Sequence, residues 1–561
     1  MLFHMRGIDF RFILPIILAV LIGIIVSFAV QGFISFVSFF ESYLRGDNHI
    51  LLGLPKPVLI ISGPIIAGII VAIIFKLANL DKWHGPAESI LASHVPTKRP
   101  NTEAGLLSTL ASAVSLAGGA SVGQYGPLVH FGGVLGDYFS KLLKDQTPPH
   151  ILLACGAAAA VSSGFGAPIA GLVFAHEVIV RHFSLKAVAP ILISSIVAYT
   201  FSSEFYEMKP LLETTIGGIS EFNEIFLLGI LGILSGLIGA VYMKGLTGPL
   251  KIPKQIPIFF LPIIAGTICG ILGIFLPELL GLGTETIRKL IANPGDTSYL
   301  SLLLIGKLFL TVICIRLSLF GGIFSPALFI GVCTGSLFAF LASSFLDVNH
   351  SLFAVAGLAA VASTVIGGPI SMLLIVFELT SDYNVALGAG ISICFANLVS
   401  SKIFGHSAFD QILLNRNIDI HLGRDRLYLA SVKVIDILNK NYIRLVPEHN
   451  IQEMIKILSS SNVSEGYVTD PKGKLLGKVS LPLLLQLKNK EESFDISHYQ
   501  NYLFLNSNDT ILQAIDKVKD FVGESIPVIE ENGNILGIIS ESDLFNSLLM
   551  AEKERNEEEL S

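Results

Sequence analysis

Long apolar runs, many of them cut by glycine or proline, constrain this chain more than any other feature. They occupy residues 12–30, 58–75, 151–180, 187–199, 226–242, 258–276, 302–315, 327–341, 352–377 and 386–398. A helix of about 20 apolar residues is long enough to cross a bilayer. Lipid does not satisfy broken backbone, so the interrupted runs must be buried in protein or line a wet cavity. The pattern predicts an all-α, multi-pass membrane domain that contains broken helices.

Charged residues divide the chain into two parts near residue 420. Residues 1–420 carry 22 basic and 22 acidic side chains, whereas the much shorter segment 421–561 carries 15 and 22. We therefore predict a membrane domain over 1–420 and a soluble domain over 421–561. Arg6 and Arg11 precede the first apolar run, which favours a cytoplasmic N-terminus. The expected location is the cell membrane.

The membrane domain repeats itself. The segment from Gly123 to Pro127 matches the segment from Gly322 to Pro326 at an offset of 199 residues. Further downstream, Gly156, Pro168 and Glu177 match Gly357, Pro369 and Glu378 at an offset of 201. We predict two related halves, at about 10–215 and 222–420. Many membrane transporters are built from inverted repeats, with the binding site at the repeat interface and formed by broken helices.

Each repeated motif places glycines and then a proline before an apolar helix. Proline is well tolerated in the first turn of a helix, and glycine lets the backbone approach a ligand closely. The first N–H groups of a helix lack internal partners, and the helix dipole makes this end positive, so it binds anions without a full charge. Such weak binding suits permeation. The alternative is that these glycines only allow the helices to pack closely.

Several segments resemble the CLC chloride channel and transporter family. Residues 321–326 (GGIFSP) resemble its GGIFxP motif, residues 123–127 (GQYGP) its G(K/R)EGP motif, and residues 83–88 (WHGPAE) its GSGIPE motif. Residues 164–177 and 405–410 resemble later parts of the same membrane domain. The resemblance implies two antiparallel halves, a homodimer with one pore per subunit, and cytoplasmic termini. It places anion contacts at Ile323, Phe324, Gly85 and Gly126.

Four positions depart from the family pattern. Tyr125 stands where the family has a gating glutamate, and a phenol stays neutral at physiological pH because its pKa is about 10. Val178 replaces the inner glutamate that carries protons in coupled members. His84 replaces a serine of the central anion site, and Phe409 replaces a tyrosine of the pore. We expect Tyr125 to act as a gate or simply to pack, and His84 either to donate a ring N–H to the anion or to face elsewhere.

The soluble segment contains its own repeat. Residues 468–480 and 527–540 each read as strand, glycine turn and strand, and a helical pattern precedes each copy. The pair resembles tandem cystathionine-β-synthase (CBS) domains of α/β type, at about 430–490 and 500–551. By that resemblance, Ser540 and Asp543 are candidates to hold an adenine nucleotide. The alternative is a dimerising domain that binds no ligand.

Three functions fit these residues. The first is a passive, proton-uncoupled channel for chloride or a similar small anion. The second is a proton-coupled exchanger with a rewired proton path through His176 or His84, and the third is a nucleotide-sensing membrane protein with little conduction. We expect no enzyme activity, metal site or nucleic-acid partner, because the sequence shows no catalytic set or metal-ligand spacing. Membrane lipid, the anion and a second copy of the chain are the expected partners.

Overall fold

The protein is described here by a computed structural model. The structure describes residues 10–560 except 46–54, 81, 96–97, 184, 207–211, 213–216, 220, 250–255, 294, 462 and 488–501. Arg6, used above for topology, lies outside these residues. The chain divides into two compact units, Met1–Asn417 and Ile418–Ser561. Eight helical stretches within the described ranges are long and apolar enough to cross a membrane. The first unit is therefore a multi-pass membrane domain.

The described residues of the membrane domain form two matching sets of eight α-helices and one further α-helix. The first set is α1 (Phe10–Arg45), α2 (Lys56–Leu77), α3 (Pro86–His94), α4 (Thr102–Ala117), α5 (Tyr125–Leu142), α6 (Pro149–Phe165), α7 (Pro168–Phe174) with a π-helical extension (Ala175–Val180), and α8 (Leu185–Phe205). The second set is α9 (Phe222–Thr247), α10 (Leu261–Phe275), α11 (Thr284–Ala292), α12 (Thr297–Arg316), α13 (Phe324–Ala342), α14 (His350–Ile366), α15 (Pro369–Thr380) and α16 (Tyr383–Ile403). The additional helix is α17 (Ala408–Leu414).

Glycine and proline break the helices where the sequence predicted. The run 151–180 divides into α6 and α7 at Gly166, whose φ is +72°. The run 352–377 divides into α14 and α15 at Gly367, whose φ is +70°. Glycine tolerates this left-handed conformation, and the proline two residues later starts a new helix with a favourable φ. A glycine followed two residues later by a proline therefore produces the same helix break in each half.

Reciprocal contacts join the two halves. Gly123 and Gly322 exchange two backbone hydrogen bonds of 2.6 Å each in an antiparallel bridge. Glu177 accepts hydrogen bonds from the N–H groups of Ile370 (3.0 Å) and Ser371 (2.7 Å) at the start of α15. In the other half, Glu378 accepts from the first N–H groups of α7, at 2.9 and 2.8 Å. Each carboxylate therefore caps the equivalent helix of the opposite half, as expected for inverted repeats related by a two-fold axis.

Close helix crossings within each half rely on glycine. A Cβ atom on Gly156 would lie 1.8 Å from the carbonyl oxygen of Gly132, where α6 crosses α5. The equivalent crossing of α14 and α13 brings a Cβ on Gly357 within 2.6 Å of the carbonyl oxygen of Gly331. Only glycine fits at such distances. Close packing is therefore the role of these four glycines, which lie inside the helices; the interpretation given above concerned the glycines that precede α5 and α13.

The second unit contains two small three-stranded sheets. The first sheet is formed by β1 (Arg444–Leu445), β2 (Glu465–Thr469) and β3 (Leu475–Ser480), and the second by β4 (Leu505–Asn506), β5 (Ser525–Ile529) and β6 (Ile535–Ser540). In each sheet the first pair of strands is parallel and the second antiparallel. The helices of this unit are α18 (Arg424–Ser431), α19 (Ile451–Ser460), α20 (Leu481–Leu487), α21 (Ile511–Lys517) and α22 (Glu541–Leu560).

The two copies in the soluble unit have separate hydrophobic cores, and one segment assigned to the first copy packs in the core of the second. Met454 and Val468 belong to the first core, and Ile511 and Ile539 to the second. Val434 packs in the second core, although the sequence analysis assigned its segment to the first copy. Hydrogen bonds between Asn439 and Ile538 explain this placement, because they attach the segment to the edge of the second sheet.

Polar contacts between the two copies centre on Ser525. Glu465 at the start of β2 accepts hydrogen bonds from the N–H (2.9 Å) and the hydroxyl (2.7 Å) of Ser525. Lys478 lies 2.7 Å from the same carboxylate. The Tyr467 hydroxyl is 2.6 Å from the Ser525 hydroxyl, and burial raises the pKa of this phenol, so it stays neutral. This satisfied network holds the two sheets together.

Candidate anion site

A narrow cavity lies where the starts of α5 and α13 meet. It is bordered by residues from eight helices, which are Pro86, Tyr125, Gly126, Val129, Val161, Phe165, Phe174, Phe324, Ile366, Ile375 and Phe409. Four residues named from the sequence, Tyr125, Gly126, Phe324 and Phe409, come together here. None of the described residues that border the cavity carries a charge. The structure therefore joins helix ends from both halves at one uncharged point.

Backbone groups at these helix ends are available to a ligand. Among the described residues, no acceptor lies within hydrogen-bond reach of the N–H groups of Ile323 and Phe324. A Cβ atom on Gly126 would lie 3.3 Å from the Cα atom of Gly322, so glycine permits the close approach of the two ends. The carbonyl oxygen of Ile323 points the other way and accepts a hydrogen bond from the Tyr242 hydroxyl (3.2 Å). This arrangement suits an anion bound by N–H groups and the positive end of α13.

Tyr125 packs inside an aromatic cluster. Its ring is stacked on Phe165, with centroids 3.6 Å apart, and stands edge-on to Phe324 at 5.8 Å. Gly164 lies against the ring, and the Tyr125 hydroxyl is 3.5 Å from the Gly164 carbonyl oxygen, at the limit of a hydrogen bond. The ring is 8% exposed. Stacking rather than hydrogen bonding therefore holds the side chain in the cavity.

Phe409 reaches the cavity from the start of α17. Ser407 and Asp410 form a reciprocal capping box around this start, with hydrogen bonds of 3.0 to 3.2 Å. Arg181, which follows the π-helical extension of α7, is 2.5 Å from the Asp410 carboxylate. These contacts fix the first turn of α17 and so place the Phe409 ring. The ring has no hydroxyl to offer a ligand.

His84 and Gly85 do not border the cavity, although Pro86 next to them does. The N–H of His84 donates to the Ser108 hydroxyl (3.0 Å), and the N–H of Gly85 donates to the Glu88 carboxylate (2.8 Å). Glu88 also pairs with Arg416 at 2.6 Å. The backbone N–H groups of both residues therefore have protein acceptors, whereas the donor that the sequence assigned to the anion at His84 is a ring N–H. Their role as anion contacts stays a prediction.

Val178 is fully buried in the π-helical extension of α7, and its side chain faces Gly368. Neighbouring Glu177 is the helix cap described above. The His176 ring is also buried, stacks on Phe183 with centroids 4.6 Å apart, and has its Nδ1 atom 3.0 Å from the carbonyl oxygen of His182. These contacts match the packing role expected for His176 more closely than a role as a proton relay.

The sequence analysis missed three residues near the site. Phe165 and Phe174 border the cavity from the two sides of the break between α6 and α7, and the motif GFGAP around this break was the available signal. His130 is fully buried on α5, with its Nδ1 atom 2.7 Å from the Ser89 hydroxyl. Its ring lies 6.2 Å from that of His84. No motif pointed to it, since it follows the glycine-rich turn by a full helical turn.

Ser540 and Asp543 lie together at the start of α22 in the soluble unit. The Asp543 carboxylate accepts hydrogen bonds from the N–H (2.9 Å) and the hydroxyl (2.6 Å) of Ser540. The Asp543 N–H lies 3.3 Å from the Ser540 hydroxyl. The pair therefore forms a helix cap, which any nucleotide would have to share. Nucleotide binding by this pair stays a prediction.

Family models match both units of the chain. The model described as "Voltage gated chloride channel" matches residues 66–401, and the CBS domain model matches residues 495–550. A similar curated protein is the "H(+)/Cl(-) exchange transporter ClcA" of Vibrio parahaemolyticus, 29% identical over 312 residues, which are 53% of this chain and 67% of the relative. Another is the "Putative chloride channel protein ClcB-like" of Ralstonia nicotianae, 26% identical over 56% of this chain and 75% of the relative.

Solved structures share the fold. A slow cyanobacterial Cl⁻/H⁺ antiporter superposes with a TM-score of 0.64 and 24% identity over 72% of this chain and 97% of its own. A eukaryotic CLC transporter gives a TM-score of 0.61 and 20% identity, and it covers 95% of this chain and 99% of its own. The membrane match spans more than half of the chain, and the repeated halves, broken helices and paired helix ends agree with it. The chain therefore belongs to the voltage gated chloride channel family, with a CBS domain at its C-terminal end.

Proposed function

We propose that the protein is a passive, proton-uncoupled channel for chloride or a similar small anion. The observation that carries this proposal is the uncharged cavity at the paired starts of α5 and α13. The free N–H groups of Ile323 and Phe324 bind the anion there, and the dipole of α13 adds to the attraction. Tyr125 is the gate, because its ring borders the cavity next to Phe324.

Among the described residues that border the cavity, none has a side chain that would carry protons at physiological pH. Exchange of a proton for an anion requires a group that binds and releases protons while facing the anion. Tyr125 stays neutral, Val178 cannot titrate, and the nearest acidic side chain of α7, Glu177, is bound to the start of α15. Several relatives are named as H⁺/Cl⁻ exchangers. We propose that this chain differs from them in mechanism because Tyr125 and Val178 stand where the family resemblance places two glutamates.

We also propose an assembly and a membrane orientation, which the resemblance to the CLC family implies. Large exposed side chains such as Ile69, Ile70 and Ile73 on α2 would face lipid. We place both the N-terminus and the CBS unit in the cytoplasm, and we propose a homodimer with one anion path in each subunit. Labelling of single introduced cysteines with a membrane-impermeant reagent tests the orientation, and mass photometry in detergent tests the dimer.

Chloride and proton fluxes measured together in proteoliposomes test the mechanism. An imposed chloride gradient should drive chloride efflux, and no uphill proton movement should accompany it. Sustained uphill proton transport by the unmodified protein would replace the proposal with a coupled exchanger that uses other groups. The absence of anion flux would instead favour a sensor that does not conduct.

Tyr125→Glu tests whether position 125 corresponds to the gating glutamate of the family. It introduces a titratable carboxylate where the family resemblance places the gating glutamate, and a carboxylate competes with the anion for the same N–H donors. We expect chloride flux in this variant to fall at neutral pH and to recover as the pH is lowered. A pH profile identical to that of the unmodified protein would show that position 125 does not face the anion.

A further inference from the structure

Five aromatic rings from five different helices surround the proposed path. They belong to Tyr125 on α5, Phe165 on α6, Phe174 on α7, Phe324 on α13 and Phe409 on α17. All five are at most 8% exposed and border the cavity, and together they are called the aromatic wall below. Phe324 stands edge-on to the stacked rings of Tyr125 and Phe165, at 5.8 and 5.5 Å. The sequence alone did not indicate this wall.

Hydrogen-bond donors are scarce inside the wall. Tyr125 supplies the only side-chain hydroxyl among the described residues that border the cavity, and aliphatic or glycine positions complete the lining. The remaining donors are the backbone N–H groups at the helix ends. An anion that enters must give up most of its hydration shell, and these few donors replace only part of it.

The cost of this exchange depends on the anion. Small, strongly hydrated anions lose the most when water is replaced by apolar surface, because the free energy of ion solvation falls as the ionic radius grows. Large polarisable anions lose less, and the ring edges, where the aromatic quadrupole is positive, still attract them. An aromatic wall with few donors therefore favours weakly hydrated anions.

We propose that this cavity selects weakly hydrated monovalent anions, such as nitrate and thiocyanate, over chloride, and chloride over fluoride. The inference rests on the proposed anion conduction and adds the class of anion that passes best. Phe409 is the specificity-determining residue that the structure singles out. It borders the cavity from a capped helix start, and a hydroxyl on its ring would add one strong donor beside the path.

Anion efflux from proteoliposomes loaded with potassium chloride, nitrate, thiocyanate or fluoride tests the selectivity. Bi-ionic potentials between chloride and each other anion give the permeability ratios. We expect the permeabilities of nitrate and thiocyanate to exceed that of chloride by roughly 10- to 100-fold, which corresponds to the loss of about one hydrogen bond to a charged group. Phe409→Tyr should lower these ratios by at least about threefold. Phe309→Tyr on the exposed face of α12 is the matched control and should leave them unchanged.

A second variant guards against misfolding of the first. Phe174→Leu removes a ring from another helix without adding a donor, so it should reduce the preference for thiocyanate while chloride flux persists. Chloride flux equal to or greater than nitrate flux in the unmodified protein would overturn the selectivity and leave anion conduction intact. The absence of flux for all four anions would instead overturn the proposed function. Unchanged permeability ratios in both Phe409→Tyr and Phe174→Leu would show that the aromatic wall does not cause the selectivity.

Discussion

Removal of the Tyr125 ring should open the anion path. The ring makes two aromatic contacts, at 3.6 Å with Phe165 and at 5.8 Å with Phe324. Each such pair contributes about 0.5–1.5 kcal/mol beyond simple burial. Together they favour the inward position of the ring by about 1–3 kcal/mol, which corresponds to a roughly 5- to 150-fold change in population. Tyr125→Leu should therefore raise chloride flux by a factor in this range.

Tyr125→Phe separates the contribution of the ring from that of the hydroxyl. The hydroxyl is at the limit of hydrogen-bond distance from Gly164, so its loss should change chloride flux less than about threefold. Initial rates of chloride efflux from proteoliposomes, normalised to the amount of reconstituted protein, give both comparisons. Equal rates for Tyr125→Leu and the unmodified protein would show that the stacked ring is not the barrier to the anion.

Three further predictions concern the framework. Glu177→Gln and Glu378→Gln should each lower the melting temperature in detergent, because each weakens two charge-assisted hydrogen bonds from backbone N–H groups, of about 1.5–3 kcal/mol each, and Glu177 accepts a third from the Ser371 hydroxyl; a fall in only one variant would contradict their equivalence. Gly156→Ala should eliminate the monodisperse peak in size-exclusion chromatography, because the added Cβ atom would clash with α5. Gly32→Ala should keep this peak, because no heavy atom lies within 4 Å of a Cβ atom added there. Glu465→Gln should speed amide hydrogen exchange in β2 and β5 of the intact protein, and unchanged exchange would show that the hydrogen bonds from Ser525 to Glu465 do not join the two sheets.

Local signals were sufficient for much of the fold. Gly166 and Gly367 each stand two residues before a proline inside a long apolar run, and the helices break there. Such breaks depend on backbone conformation, which these residue types control directly. The repeat also indicated that Glu177 and Glu378 are equivalent positions, although it did not indicate that each carboxylate accepts hydrogen bonds from a helix start in the opposite half. The resemblance to the CLC family is confirmed, as are the membrane body and the CBS fold.

Other features depended on contacts between distant segments. Phe165 and Phe174 are ordinary apolar residues in the sequence, and only the folded chain brings them beside Tyr125. His84 follows the family spacing, yet its N–H is bound to Ser108 on α4. Val434 packs with the second CBS core because an edge hydrogen bond at Asn439 holds its segment there. Side-chain chemistry at these positions gave no local signal of these partners.

The sequence by itself determined that this chain is a two-part protein, with a membrane domain of two related halves and a soluble pair of repeats. Hydrophobicity, glycine and proline spacing, and charge distribution act locally along the chain, so these features can be recognised without coordinates. Only the tertiary structure decided which donors remain free at the paired helix ends and which rings surround them. The reason is physical: availability of an N–H group and closure of a cavity both depend on what other helices place within a few ångströms.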